Sequence, residues 1–182
     1  DYYDSYSNLL FTYNYLEQFS KDKYIKTLNN FGSNIQKFNL DSSVKIITNS
    51  QKKLNIGFVS GDFADHPVGY FLEKTLLELK DKINLFAYSN SFSETELTRN
   101  IKKYFFKWDV IMGKRSEDII NLIRNDKIDI LFDLSGHTKN NILPLFENRL
   151  APIQVAWIGY LASTGLSNMD YLISDRIICS EN

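Results

Sequence analysis

Two histidines, His66 and His137, are the only imidazoles in the chain, and each follows a strand-length apolar run. His66 stands in GDFADHPVGYF, directly before Pro67. Proline holds its predecessor extended and suits the first position of a helix. A neutral imidazole there can accept a proton or hydrogen-bond a sugar hydroxyl. The competing structural reading is a loop-capping histidine bonded to Asp62 or Asp65. His137 stands in DLSGHT, where Gly136 permits a tight turn and Asp133 is placed to orient the ring. Its competing reading is a buried structural Asp–His bond. A third segment, Gly159 to Gly165, carries Tyr160, Ser163 and Thr164. That composition suits a loop whose backbone amides face an oxygen-rich ligand, although alone it reads as a simple turn.

Other chemistries lack their residues. Asp62, Asp65, His66, Asp133 and His137 match no metal-ligand spacing, and Cys179 is the only cysteine, so neither a metal site nor a disulfide framework is expected. No G-x-S-x-G, Walker or G-x-G-x-x-G pattern occurs, which removes the common hydrolase, nucleotide-hydrolase and dinucleotide readings. The formal net charge is −1, which gives no electrostatic reason to expect nucleic acid. No apolar stretch is long enough to span a membrane, and no signal-peptide pattern opens the chain, so a cytoplasmic location is expected. A chain of 182 residues with 43% hydrophobic and 24% charged residues suits a globular domain with a real core.

Strands and helices must alternate to position these loops. Apolar runs of strand length are Leu54 to Ser60, Ile83 to Tyr88, Trp108 to Met112, Ile128 to Leu134, Ile153 to Ile158 and Tyr171 to Ile173. Helical spacing marks Val68 to Leu79, Glu94 to Phe106, a segment capped by Ser116 and running to about Asn125, and Asn141 to Glu147. Near-continuous apolar strands alternating with helices predict an α/β fold, a Rossmann-like parallel sheet covered on both faces. Ligands of such sheets sit outside the carboxyl ends of the strands, where both histidines and the glycine-rich loop fall.

Residues 1–38 read as a helical segment whose apolar stripes must dock on the body of the domain or on a helical region upstream. Leu9, Leu10, Tyr13, Leu16 and Phe19 form one apolar stripe; Tyr24, Ile25, Leu28, Phe31 and Ile35 form a second, with a break and cap at Ser20. The pair suits the end of a helical repeat array. Residues 39–53 read as a polar linker crossed by one apolar run, Val44 to Ile47, and residues 54–182 as the α/β lobe. Both ends look cut from a longer protein.

GFVSGDFADHPVGYF, DLSGHTKNN and APIQVAWIGYLASTGLSNMDYLISD together resemble the amino-terminal half of the catalytic region of the O-GlcNAc transferase and SPINDLY family. SNLLFTYNY, near Ser7, resembles the segment that enters this region. The resemblance implies the first lobe of a B-type glycosyltransferase, an upstream superhelix of tetratricopeptide repeats, and a second lobe that holds most of the nucleotide-sugar. It implies transfer of N-acetylglucosamine from UDP-GlcNAc to Ser or Thr of proteins without a metal or other cofactor. Fucose from GDP-fucose is the close competitor, and a non-catalytic protein-binding module is the alternative of a different kind. By motif, the catalytic candidates are His66 and His137. The substrate-contact candidates are Pro67, Tyr70, Thr138, Gly159, Tyr160, Thr164 and Gly165. Leu161-Ala162 departs from the Pro-Asn or Pro-Gly of many relatives. The implied partners are the protein acceptors, the nucleotide-sugar and the second lobe of the same protein.

Overall fold

The computed structural model describes residues 2–38, 44 and 52–179. Two helices, α1 (Tyr2–Tyr13) and α2 (Lys21–Ser33), precede an alternating run. That run is β1 (Asn55–Ser60), α3 (Pro67–Leu79), β2 (Asn84–Ser89), α4 (Glu96–Lys102), β3 (Lys107–Val110) and α5 (Ser116–Asn125). It continues with β4 (Ile130–Asp133), α6 (Leu143–Phe146), β5 (Ile153–Trp157) and β6 (Tyr171–Ile173). The strands form one six-stranded sheet in the order β3-β2-β1-β4-β5-β6, every pair parallel. The α/β expectation therefore holds, with a helical pair ahead of it.

The order reverses direction between β1 and β4. Their register pairs Val59 with Asp133, so both strands end together. A crevice outside the carboxyl ends at such a reversal is where open α/β sheets hold ligands. The DHP and GHT segments are the loops leaving these two strands.

Alternation along the strands builds two cores. Val59, Phe86, Tyr88 and Leu131 point to the layer that contains α1, α2, α5 and α6. Ile56, Phe58, Leu85 and Ala87 point to the layer of α3 and α4. The helical pair is thus part of the body of the lobe: Leu10 and Phe31 are fully buried in the first core. Burial of side chains of this size contributes roughly 1.5–3 kcal/mol each, which two short helices lack in isolation.

Several boundaries differ from the sequence expectation. The first stripe runs past the helix, because Asn14 ends α1. Its side-chain amide donates to the carbonyls of Leu10 and Phe11, both at 3.2 Å, which satisfies last-turn acceptors and leaves Leu16 and Phe19 exposed outside the helix. Ser20 caps α2 as expected, accepting from Lys23 N at 3.3 Å. Helix α4 stops before Phe105 and Phe106, since Phe106 N donates to Leu85 O at 2.8 Å and so enters the sheet ladder. Ser116 is the first residue of α5 rather than its cap; Arg115 holds the cap position with no side-chain bond. Helix α6 is a single turn, started by Asn141 Oδ1 accepting from Leu143 N at 3.0 Å. The expected linker lies outside the described residues except for Val44, Lys52 and Lys53. No helix among the described residues is long and apolar enough to cross a membrane.

Candidate functional site

The loop after β1 delivers His66 to the start of α3. Its Nδ1 accepts from Val68 N at 3.3 Å, and the Asp62 carboxylate lies 4.0 Å from the same nitrogen. The ring caps the helix through Val68 N, without the expected hydrogen bond to Asp62 or Asp65. Capping also has a chemical consequence. A nitrogen that accepts a backbone N–H carries no proton, so the neutral ring is protonated at Nε2. The His66 side chain is 47% exposed. In this arrangement it offers solvent a hydrogen-bond donor, and a free basic nitrogen only if the cap is released. Pro67 begins α3, and Tyr70, one turn on, is exposed with its hydroxyl 3.5 Å from Asp65 Oδ1.

His137 is placed differently. It is 2% exposed and both ring nitrogens have protein partners. Nε2 lies 3.0 Å from the Thr164 carbonyl and Nδ1 3.0 Å from Ser7 Oγ. A carbonyl can only accept, so Nε2 donates and Nδ1 accepts from the serine hydroxyl. Ring edges of Phe31 and Tyr160 close on it, with centroids 4.8 and 5.2 Å away. Burial pushes its pKa down to about 4. Asp133 does not orient this ring. Its carboxylate accepts from Ser135 N at 3.2 Å and Gly136 N at 2.8 Å, and burial raises its pKa to about 6 despite those bonds. Thr138 closes the same turn, with Oγ1 donating to Ser135 O at 2.8 Å.

The glycine-rich loop after β5 also turns inward. Tyr160 is buried; its hydroxyl donates to Leu10 O at 3.3 Å and accepts from Asn14 Nδ2 at 3.3 Å. Gly159 passes so close to β4 that a Cβ there would stand 1.8 Å from Leu134 O. Gly165, at φ +72°, packs on Leu28 of α2, and Thr164 is buried. The MDY segment is structural too: Asp170 Oδ2 accepts from Gln154 N at 2.8 Å and from Arg149 at 2.6 Å. The two histidines thus share the carboxyl edge but engage opposite layers. His66 opens the α3 side; His137, Tyr160, Thr164 and Gly165 face α1 and α2.

On the α3 side, walled in part by Phe71 of the helix that His66 caps, lies an open groove of about 460 Å³. Phe71, Trp157, Ile158, Leu161, Leu172 and Ile178 form most of its wall, and Asp175 is the only charged residue among the described ones that line it. Phe71 is 66% and Leu161 57% exposed. Ile158 has φ +62°, an outlier for a β-branched residue and a mark of backbone held under constraint where the loop leaves β5. Sequence reading missed Phe71 and Ile158. The legible signal was Phe71 itself, adjacent to Leu72 and one apolar residue more than the inward face of α3 can bury. Among the described residues no cluster of His, Cys, Asp and Glu is arranged to hold a metal. The described lining can therefore supply apolar contact, aromatic edges and the Ser174 hydroxyl, but no cation.

Comparison with known proteins agrees with this geometry. The model of glycosyl transferase family 41 matches residues 31–181. A probable UDP-N-acetylglucosamine–peptide N-acetylglucosaminyltransferase SPINDLY of Hordeum vulgare is 35% identical over 96% of this chain and 19% of its own length. The corresponding SPINDLY protein of Arabidopsis thaliana is 33% identical over 93% of this chain, again 19% of its own length. The chain thus spans about a fifth of these relatives. A mutant O-GlcNAc transferase of Thermobaculum terrenum superposes with a TM-score of 0.87 at 30% identity, covering 96% of this chain and 34% of that one. With this sheet order, the HP histidine at its carboxyl edge and a family match over most of its length, the chain belongs to glycosyl transferase family 41.

Proposed function

We propose that this chain is the first lobe of a protein O-glycosyltransferase that moves N-acetylglucosamine from UDP-GlcNAc to Ser or Thr hydroxyls of proteins. In this reaction the acceptor oxygen bonds to the anomeric carbon, the bond from that carbon to the diphosphate breaks, and the hydroxyl proton passes to an oxygen of the departing diphosphate. The diphosphate departs as the nucleoside diphosphate. His66 would contact the sugar or a phosphate oxygen through Nε2–H, with Pro67 and Tyr70 beside it. The second lobe would bring the cations that the groove lacks, and no metal is needed in this reading. A preceding tetratricopeptide superhelix and a cytoplasmic setting complete it.

The observation that carries the proposal is the exposed His66 donor at the sheet's reversal point, capping the helix whose Phe71 walls the apolar groove. The retained His137 and glycine-rich loop do not add to it, since their contacts are internal. Mass spectrometry of acceptor protein incubated with the full-length protein tests the reading. A gain of one N-acetylhexosamine with UDP-GlcNAc supports it. A gain of deoxyhexose with GDP-fucose instead would replace the donor, and no gain with either would favour a binding module.

A further inference from the structure

We propose that His137 is a positioning residue that couples the two amino-terminal helices to the 158–166 loop, and through it to the groove wall. The inference rests on the glycosyltransferase reading only for its kinetic consequence. Its structural content stands on the contacts alone.

His137 binds all three parties, as Tyr24 of α2 does through Tyr13, Tyr160 and Ser163, but His137 does so from the β4 loop. It accepts from Ser7 in α1, donates to Thr164 O in the loop, and packs edge-on against Phe31 of α2. The loop is held again on either side of that bond. Tyr160 reaches back to Leu10 and Asn14, and Gly165 O approaches Gly32 so closely that a Cβ on Gly32 would lie 2.2 Å from it. Between these anchors Leu161 and Ser163 are exposed, and Leu161 lines the groove with Ile158. The inner side of the loop is therefore fixed by the helical pair, and its outer side forms groove wall.

A shift of α1 that separates Ser7 from His137 leaves a buried imidazole nitrogen without a donor, and buried polar groups strongly resist that state. The loop must then follow the helix or the ring must turn. Either response moves Thr164, and Leu161 lies three residues before it. The position of the helical segment is in this way passed to a substrate-facing wall without a ligand touching His137.

The test uses the full-length protein and the Ser7→Ala and His137→Gln variants. Gln keeps an amide donor for Thr164 O but lacks the acceptor in the place of Nδ1. Amide hydrogen exchange is followed by mass spectrometry, together with turnover well below the melting temperature. In both variants residues 158–166 should exchange at least fivefold faster, with the amides of β1 and β4 unchanged. kcat should fall several-fold while the KM for the nucleotide-sugar moves little. Ser7→Ala is the safeguard if His137→Gln does not fold. Unchanged exchange in 158–166, or equal acceleration throughout the sheet, overturns the coupling. If the full-length wild type transfers neither sugar, the Proposed function fails, and the exchange measurement still decides this inference.

Discussion

At the scale of single residues, the two histidines separate into different kinds of group. His66 caps a helix with one nitrogen and exposes the other. Asn is an excellent cap but does not reach the place of Nε2. His66→Asn should therefore keep the melting temperature near that of the wild type while lowering turnover of the full-length enzyme about a hundredfold, the usual scale for a lost catalytic group. His66→Ala should lose turnover similarly and also about 1 kcal/mol of stability. Normal turnover of His66→Asn would reduce His66 to a cap. For His137 the pH dependence of folding is the sharper test. Its pKa is about 4 in the folded chain, below the ordinary value near 6.5 of an unfolded one. The unfolded state therefore takes up the proton first, and stability is lost as pH falls from about 6.5 towards 4. Between pH 7 and pH 5 that loss is about 2 kcal/mol by linkage. Asp133, raised to about 6, runs the other way: its neutral form is favoured on folding, so acid relieves its cost. Asp133 is present in both wild type and His137→Gln. Urea titrations of the two at pH 7 and pH 5 should thus show their stability difference narrowing by about 2 kcal/mol. A constant difference would contradict the buried neutral ring.

At the scale of elements, the contact between α2 and the 158–166 loop sets two local preferences against each other. Ala at position 32 would improve the helix by about 1 kcal/mol over Gly. The added methyl, however, would stand 2.2 Å from a backbone oxygen, which cannot rotate away as a side chain can. Overpacking of this kind costs about 1–3 kcal/mol, so Gly32→Ala should be destabilising on balance, read as a lower urea midpoint. This is also where reading the sequence reaches its limit. The parallel sheet and its cover on both faces were legible, because near-continuous apolar strands alternating with helices leave few topologies; the strand order was not read. The cap at Ser20 and the start of α3 at Pro67 were legible from local chemistry. Asn14 as the end of α1 was not, since an amide that folds back onto its own helix has no signature in spacing. Nor was the inward turn of His137, Tyr160 and Thr164. Their partners Ser7, Leu10 and Asn14 lie well over a hundred residues away, and no periodicity relates residues that far apart. The motif residues signalled a site because they cluster at the carboxyl edge; several cluster there to seat the helical pair.

At the scale of the whole molecule, the groove side of the sheet is a surface for one partner of a reaction and lacks the charge for the other. Breaking the bond to a nucleoside diphosphate requires preorganised donors or cations on the leaving oxygens, and such groups typically supply a large share of catalysis. Among the described residues lining the groove the one charge is Asp175, an anion, which would repel a diphosphate. The other walls are apolar, apart from Ser174. His66, outside that lining, adds one donor at the start of the helix that carries Phe71. The chain as given should therefore produce no detectable glycosylation of an acceptor protein with UDP-GlcNAc, while the full-length protein does so under the same conditions. The comparison is read by intact-mass spectrometry of the acceptor, and circular dichroism of the fragment establishes first that its α/β fold is present. Transfer by the folded 182-residue chain would mean that leaving-group stabilisation lies within this lobe, and would move the search for it to the crevice between the loops that leave β1 and β4.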